Sequence, residues 1–136
     1  MADNLSDVFE TNVLDLITHS TGSTNYVQPG SLWVGLCSAA PTDAAPNETS
    51  GSGYARMTFQ MRPATTGQNT GPAATCSFPQ ASASWGTISG YAVFAASTGS
   101  TGASQYLWYG VVSPTVAITT NDTVSFAADA MTLTMG

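Results

Sequence analysis

From Ser31 onward the apolar residues of this chain recur at every second position in short runs, and this alternation constrains the fold more than any other feature. Ser31 to Leu36 sets Leu32, Val34 and Leu36 against Ser31, Trp33 and Gly35. Tyr54 to Arg62 sets Ala55, Met57, Phe59 and Met61 against Arg56, Thr58, Gln60 and Arg62. A period of two turns one face of an extended chain toward a core and the other away from it, so both runs read as β-strands. In the second, Arg56 and Arg62 are expected together on the solvent or partner face. Further strands are predicted at Ala74–Phe78, Thr87–Ala96, Gln105–Val112, Val116–Ile118, Thr123–Ala127 and Met131–Met135, each bounded by Gly, Pro, Ser or Asn-Asp turn residues. Short strands at this spacing predict a mainly β fold, a β-sandwich or jelly-roll-like barrel.

The segment before Pro29 has a different period. Leu5, Val8, Phe9, Val13, Leu16 and Ile17 recur at three- and four-residue spacing, with Ser6, Asp7, Glu10, Thr11, Asp15 and Thr18 opposite. This predicts one amphipathic helix over 4–20, capped by Asp3 or Asn4 and stopped near Gly22. Asp7 and Glu10 suit the positive end of its dipole. At 136 residues the chain is the size of one domain, so 1–136 reads as a single domain, with the helix followed by a sandwich over 31–136. The loop from Ser38 to Gly53 is long, and loops of that length are commonly functional or mobile. Gly67 to Ala73 and Ser97 to Gly102 read as turn-rich connections. Gly35, Gly90 and Gly110, inside predicted strands, imply bulges or close backbone approach.

Charge is scarce. Only 7% of residues are Asp, Glu, Lys or Arg, against roughly 25% in a typical soluble domain. Arg56 and Arg62 are the only two strong cations, and the net charge is −6. Binding phosphates requires clustered Lys and Arg, so nucleic acid and anionic membrane surfaces are excluded as partners. The N-terminus opens on acids instead of a basic leader, and no apolar run approaches the ~18 residues of a membrane span. Synthesis is therefore expected in the cytoplasm. Cys37 and Cys76 are too few and too far apart for a zinc site or a redox pair. Free buried thiols are expected, with a disulfide open if their Cα atoms lie within roughly 7 Å.

The residues point to no reaction, and no cofactor or metal ligand set is predicted. His19 stands alone, with no Gly-x-Ser-x-Gly elbow to make it part of a triad. Asp43, Glu48, Asp122 and Asp129 are the carboxylates outside the helix from which a glycosidase pair would have to come. Trp33, Trp85, Trp108, Tyr91, Tyr106 and Tyr109 are expected to pack cores or interfaces; stacking on a sugar or a base is the alternative.

Several segments, taken in order, resemble a family of small virion proteins of tailed bacteriophages. They are the amphipathic helix, Leu32-Trp33-Val34-Gly35-Leu36-Cys37-Ser38-Ala39-Ala40-Pro41, and Asn47-Glu48-Thr49-Ser50-Gly51-Ser52-Gly53-Tyr54-Ala55-Arg56. Then come Ser77-Phe78-Pro79 through Trp85-Gly86-Thr87-Ile88, and Asn121-Asp122-Thr123-Val124-Ser125-Phe126. Cys37 to Pro41 stands where a histidine-threonine-alanine-aspartate-proline-like stretch is expected, and Ala95 where an aspartate is. Both departures speak against a ligand or metal role at these loops. Members of the family are described as tail-fibre or head-decoration proteins, so the resemblance implies a virion component. The shared residues read as fold determinants: Gly51 and Gly53 turn the chain into the Tyr54 strand, Trp85-Gly86 starts the central strand, and Asn121-Asp122 is a turn pair.

The first functional expectation is a capsid decoration, or cement, protein on the outer capsid surface of the virion, bound to the major capsid protein, to copies of itself, or to both. Its partner-facing residues are expected to be Phe9 and Val13 on the helix and Arg56 and Arg62 on one strand face. The second is a tail, baseplate or fibre component, and the third a small stand-alone carbohydrate-binding or hydrolytic domain. The charge deficit suits a surface meant to be covered by partners. Its acids concentrate in the helix (Asp3, Asp7, Glu10, Asp15), which leaves the sandwich close to neutral.

Overall fold

A computed structural model describes residues 5–18, 31–65, 68–98 and 106–134. Among these residues the fold is mainly β, with antiparallel sheets and one short helix near the N-terminus. The helix α1 spans Asp7–Thr18, and the strands are β1 (Leu32–Cys37), β2 (Met57–Phe59), β3 (Gln68–Gly71), β4 (Cys76–Ser77), β5 (Gly86–Phe94), β6 (Tyr106–Ile118), β7 (Ser125–Phe126) and β8 (Met131–Thr134). One layer is a four-stranded sheet in the order β2-β1-β5-β6. Two ribbons, β3-β8 and β4-β7, complete the sandwich.

The core follows the alternation. Val34 and Leu36 of β1, Ile88, Tyr91 and Val93 of β5, and Phe59 of β2 meet Cys76, Phe78 and Met131 from the ribbon strands and the turns beside them. A register shift between Val93 and Phe94 turns both Leu107 and Trp108 of β6 into this core, where strict alternation admits only one of them. Trp85 is buried at the start of β5, and its indole N–H donates to the Ser52 carbonyl at 3.1 Å.

The helix differs from its expected form at its start. Ser6, placed on the polar face by the sequence, is buried. Its Oγ donates to the Tyr106 carbonyl at 2.6 Å and accepts the Phe9 N–H at 3.3 Å, and its own N–H donates to the Leu107 carbonyl at 2.9 Å. Ser6 is therefore the N-cap, and the helix begins at Asp7, three residues later than predicted. Leu5 makes a single antiparallel bridge to Trp108, so this segment covers the outer edge of β6 at Leu107 and Trp108. Asp3, Asn4, His19 and Gly22 lie outside the described residues.

Three strand expectations change. Gln68–Gly71, read as part of a turn-rich connection, is a strand paired along its length with β8. The predicted Gln105–Val112 and Val116–Ile118 are one strand that runs through Pro114. The Tyr54–Arg62 strand contracts to Met57–Phe59, with Ala55 exposed and Arg56 buried. The remaining strands stand within the predicted segments or within a residue of them. Cys37 and Cys76 are free and buried.

Candidate functional site

Ordered polar chemistry concentrates on the face of the four-stranded sheet turned away from the main core. On a half-exposed sheet that face would carry water. Here Trp33, Cys37, Ala92, Phe94, Tyr106 and Tyr109 form a second apolar cluster on it, and the Ser38–Gly53 loop lies over part of it. The loop is tied at both ends. The Ser38 N–H donates to the Asn47 carbonyl at 3.1 Å, and the Thr49 N–H to the Leu36 carbonyl at 2.8 Å. Tyr106 donates through its hydroxyl to the Thr42 carbonyl at 2.8 Å, and the Tyr109 hydroxyl bonds the Asp43 carboxylate. The buried Pro41 sits against Gly90, where a Cβ would collide with its ring. This segment is a lid with defined contacts.

Glu48 ties this lid to the sheet through an ion pair. Its carboxylate accepts from Arg56 in two places, Nε to Oε1 at 2.8 Å and Nη2 to Oε2 at 2.6 Å, and from the Tyr54 hydroxyl at 2.8 Å. The same hydroxyl accepts the Leu36 N–H at 2.9 Å, which pairs a backbone donor on the stretch of β1 beyond the reach of β2. Arg56 Nη1 donates to the Ala96 carbonyl at 2.9 Å, and the guanidinium carbon sits 3.4 Å from the centre of the Phe94 ring. The Arg56 side chain is 4% exposed and that of Glu48 17%. Gly35 makes room for this group, since a Cβ there would fall 2.8 Å from the Tyr54 Oη and closer still to Glu48 Oε1. Gly53, with φ +79°, turns the chain from the lid into Tyr54.

The expectation that both arginines share a solvent or partner face is therefore corrected for Arg56. It does lie on the side opposite the core, as its alternation with Met57 requires, but the lid and Phe94 cover it. Arg62 is exposed and pairs with Asp129, Nε to Oδ1 at 2.6 Å and Nη2 to Oδ2 at 3.1 Å. It stands at the rim of a groove of about 520 Å³ floored by Leu32, Phe59, Trp108 and Leu133. Phe9 is half-buried and packs against the main core, and Val13 is half-buried on the same helix.

The four carboxylates considered for glycoside chemistry each have a partner of another kind. Asp43 bonds Tyr109, Glu48 bonds Arg56 and Tyr54, and Asp129 bonds Arg62 and accepts from Thr70 Oγ1 at 3.1 Å. Asp122 accepts from the Thr119 N–H at 2.7 Å and the Thr119 hydroxyl at 2.8 Å, which closes the Asn121-Asp122 turn. Those hydrogen bonds hold Asp122 below the ordinary carboxylate range, and the bonds from Arg62 do the same for Asp129. Burial, then the Glu48 charge, pushes the Cys37 thiol up to about 12, and the same two causes raise the Tyr54 phenol. Both stay protonated at neutral pH. Among the described residues no group of three or more His, Cys, Asp or Glu could hold a metal ion.

One exposed feature escaped the sequence reading. Along β6 the valines Val111 and Val116 are 68% and 46% exposed. Pro114 inside that apolar run was the available signal, because proline within a strand pattern marks an edge or a bulge.

The fold is a loop-covered antiparallel β-sandwich in which the two described ion pairs join segments of the same chain. Its relatives are found among bacteriophage virion proteins: the model of the family described as Podophage GP4 fiber I protein gp80 matches residues 4–134, and the chain belongs to that family. A comparison with curated proteins finds no match. The chain is thus a bacteriophage structural protein of the virion and, as such, part of a multi-copy assembly.

Proposed function

We propose that this chain is a structural subunit of a tail-associated fibre. The observation that carries the reading is the match of nearly the whole chain to a family described as a podophage fibre protein. Its physical properties support the role. A charge-poor surface gives little repulsion between neighbouring subunits, and interface cores are depleted in charge in the same way. Arg62, Phe9 and Val13 remain the candidate contact residues, whereas Arg56 holds the lid and is not offered to a partner. Separating tails from heads of disrupted virions and counting copies by quantitative mass spectrometry tests the reading. A few copies that follow the tails support it.

The decoration of the outer capsid surface, on the major capsid protein lattice, is the second reading. It is favoured by the single small sandwich with its acids gathered at the N-terminal segment. Cement proteins gain strength from many modest contacts made at once. Hundreds of copies retained on tail-less heads would select it over the fibre.

A further inference from the structure

We infer that the fold withholds the one bond of this chain that trypsin-class proteases can cut, Arg56–Met57, behind the Glu48 ion pair, so that the folded chain resists them. The sequence sets the number of bonds at risk. These enzymes cut after Lys or Arg, because a carboxylate at the base of their specificity pocket receives the cationic end of that side chain. The chain has no lysine, and Arg56 and Arg62 are its only arginines. Arg62 is followed by Pro63, and a bond before proline is refractory, since the ring carries no N–H and crowds the backbone of the residue before it. The exposed arginine is therefore guarded by its neighbour in sequence. Arg56, followed by Met57, has no such guard and depends on the fold.

The structure closes the Arg56–Met57 bond on each side of the cut. The Arg56 side chain is 4% exposed, held in two places by Glu48 and once by the Ala96 carbonyl, with its guanidinium carbon 3.4 Å from the centre of the Phe94 ring. It cannot enter a specificity pocket without leaving all of these. Beyond the bond, Met57, Thr58 and Phe59 are laddered to Val34, Trp33 and Leu32, and the Gln60 carbonyl accepts the Ala73 N–H at 2.7 Å. Before it, the Tyr54 N–H donates to the Gly51 carbonyl at 3.1 Å, and the Tyr54 hydroxyl donates to Glu48.

A protease binds several residues around its cut in extended form, with their backbone groups free to pair. Cleavage here requires the Glu48–Arg56 pair to part and β2 to leave β1, so its rate follows the small fraction of chains opened in this way. The scarcity of cations then has a consequence of its own. A virion component with one enclosed arginine and one proline-blocked arginine keeps its chain whole in the presence of such enzymes, in a fibre or on a capsid alike.

Trypsin digestion of the purified chain, read by gel and by intact mass, tests this. The urea-unfolded wild type is expected to be cut once, into 1–56 and 57–136, and the folded wild type to stay whole over the same time. E48Q removes the charge that faces Arg56 and is expected to be cut after Arg56 at least about tenfold faster than the wild type. Chymotrypsin, whose aromatic sites are spread along the chain, separates local opening from general unfolding: its rate at sites beyond Pro63 should be unchanged in E48Q. P63A is expected to be cut after Arg62 in the folded state, because that arginine is exposed. Cleavage of the folded wild type within the time that cuts the unfolded chain would overturn the inference. So would an E48Q chain no more sensitive than the wild type, or one whose tryptic and chymotryptic rates rise together. A second cut after Arg62 in the unfolded wild type, or a P63A chain that stays whole, would overturn the part given to Pro63.

Discussion

Arg56 and Arg62 stand on the same side of one sequence pattern and end in opposite environments. Arg56 is clamped in two places by Glu48, capped by Phe94 and almost wholly enclosed, and it fastens the lid loop to the sheet. Arg62 makes a similarly forked pair with Asp129, but the two side chains remain 49% and 45% exposed. The bonding is alike and the consequence is not. In water a carboxylate and a guanidinium each lose little by separating, whereas under a lid the partner left behind is a buried charge with no solvent.

The contrast is broken most sharply by Arg56→Ala. It leaves the Glu48 carboxylate uncompensated beneath the lid, and breaking a buried pair in this way costs about 3–5 kcal/mol. Urea unfolding should show that loss. Alkylation of Cys37, mapped by peptide mass spectrometry, should rise with it, because the thiol lies under the same loop and its raised pKa depends on burial. Replacing both partners by apolar residues, Arg56→Met with Glu48→Leu, should recover much of the loss; no recovery would mean that the pair does more than satisfy itself.

Tyr54→Phe comes next. It strips one donor from Glu48 and the only hydrogen bond described for the Leu36 N–H, while leaving the ring to pack against Trp85 and Phe78. A loss of about 1–3 kcal/mol is expected in the same unfolding experiment. Ser6→Ala, which removes the helix cap and its bond to Tyr106, should cost about 1 kcal/mol and should raise hydrogen exchange in α1 ahead of the rest of the chain.

Arg62→Ala should have the smallest effect, with a melting temperature scarcely changed at neutral pH and no gain in Cys37 alkylation. Its trace should appear in acid. Arg62 holds the Asp129 carboxyl below its ordinary value of 3.8, so the folded chain binds that proton less readily than the unfolded one. The stabilisation from this pair is present above the ordinary value and disappears as pH falls through the lower folded one. The wild type and Arg62→Ala should therefore differ most above that window and converge below it; a gap that widened in acid would contradict the assignment.

Much of the fold could be read from local pattern. Leu32, Val34 and Leu36 did face the core, Trp85-Gly86 did open the central strand, and Asn121-Asp122 did form a turn, because each depends on alternation or turn chemistry within a few residues. The β3 strand could not be read in this way. Gln68-Asn69-Thr70-Gly71 has no apolar face, and it is extended because β8 supplies a ladder from sixty or more residues away. Ser6 looked solvated because its helical phase was polar, yet two carbonyls of β6 recruited it as a buried cap. The exposed ribbon on β6 was read as ordinary strand, since alternation cannot tell an edge from a centre.

By itself, the sequence determined that short extended strands would follow Ser31, that a helix would stand near the start of the chain, and that charge would be scarce, because periodicity and composition are properties of neighbouring residues. The tertiary structure decided which of the outward faces stayed outward. The lid folded over Arg56 and left Arg62 in water, and Leu5 and Ser6 covered the β6 edge at Leu107 and Trp108 while Val111 and Val116 stayed exposed. These outcomes depend on what lies across the sheet, and residues brought together by folding are far apart in the chain whose alternation placed them.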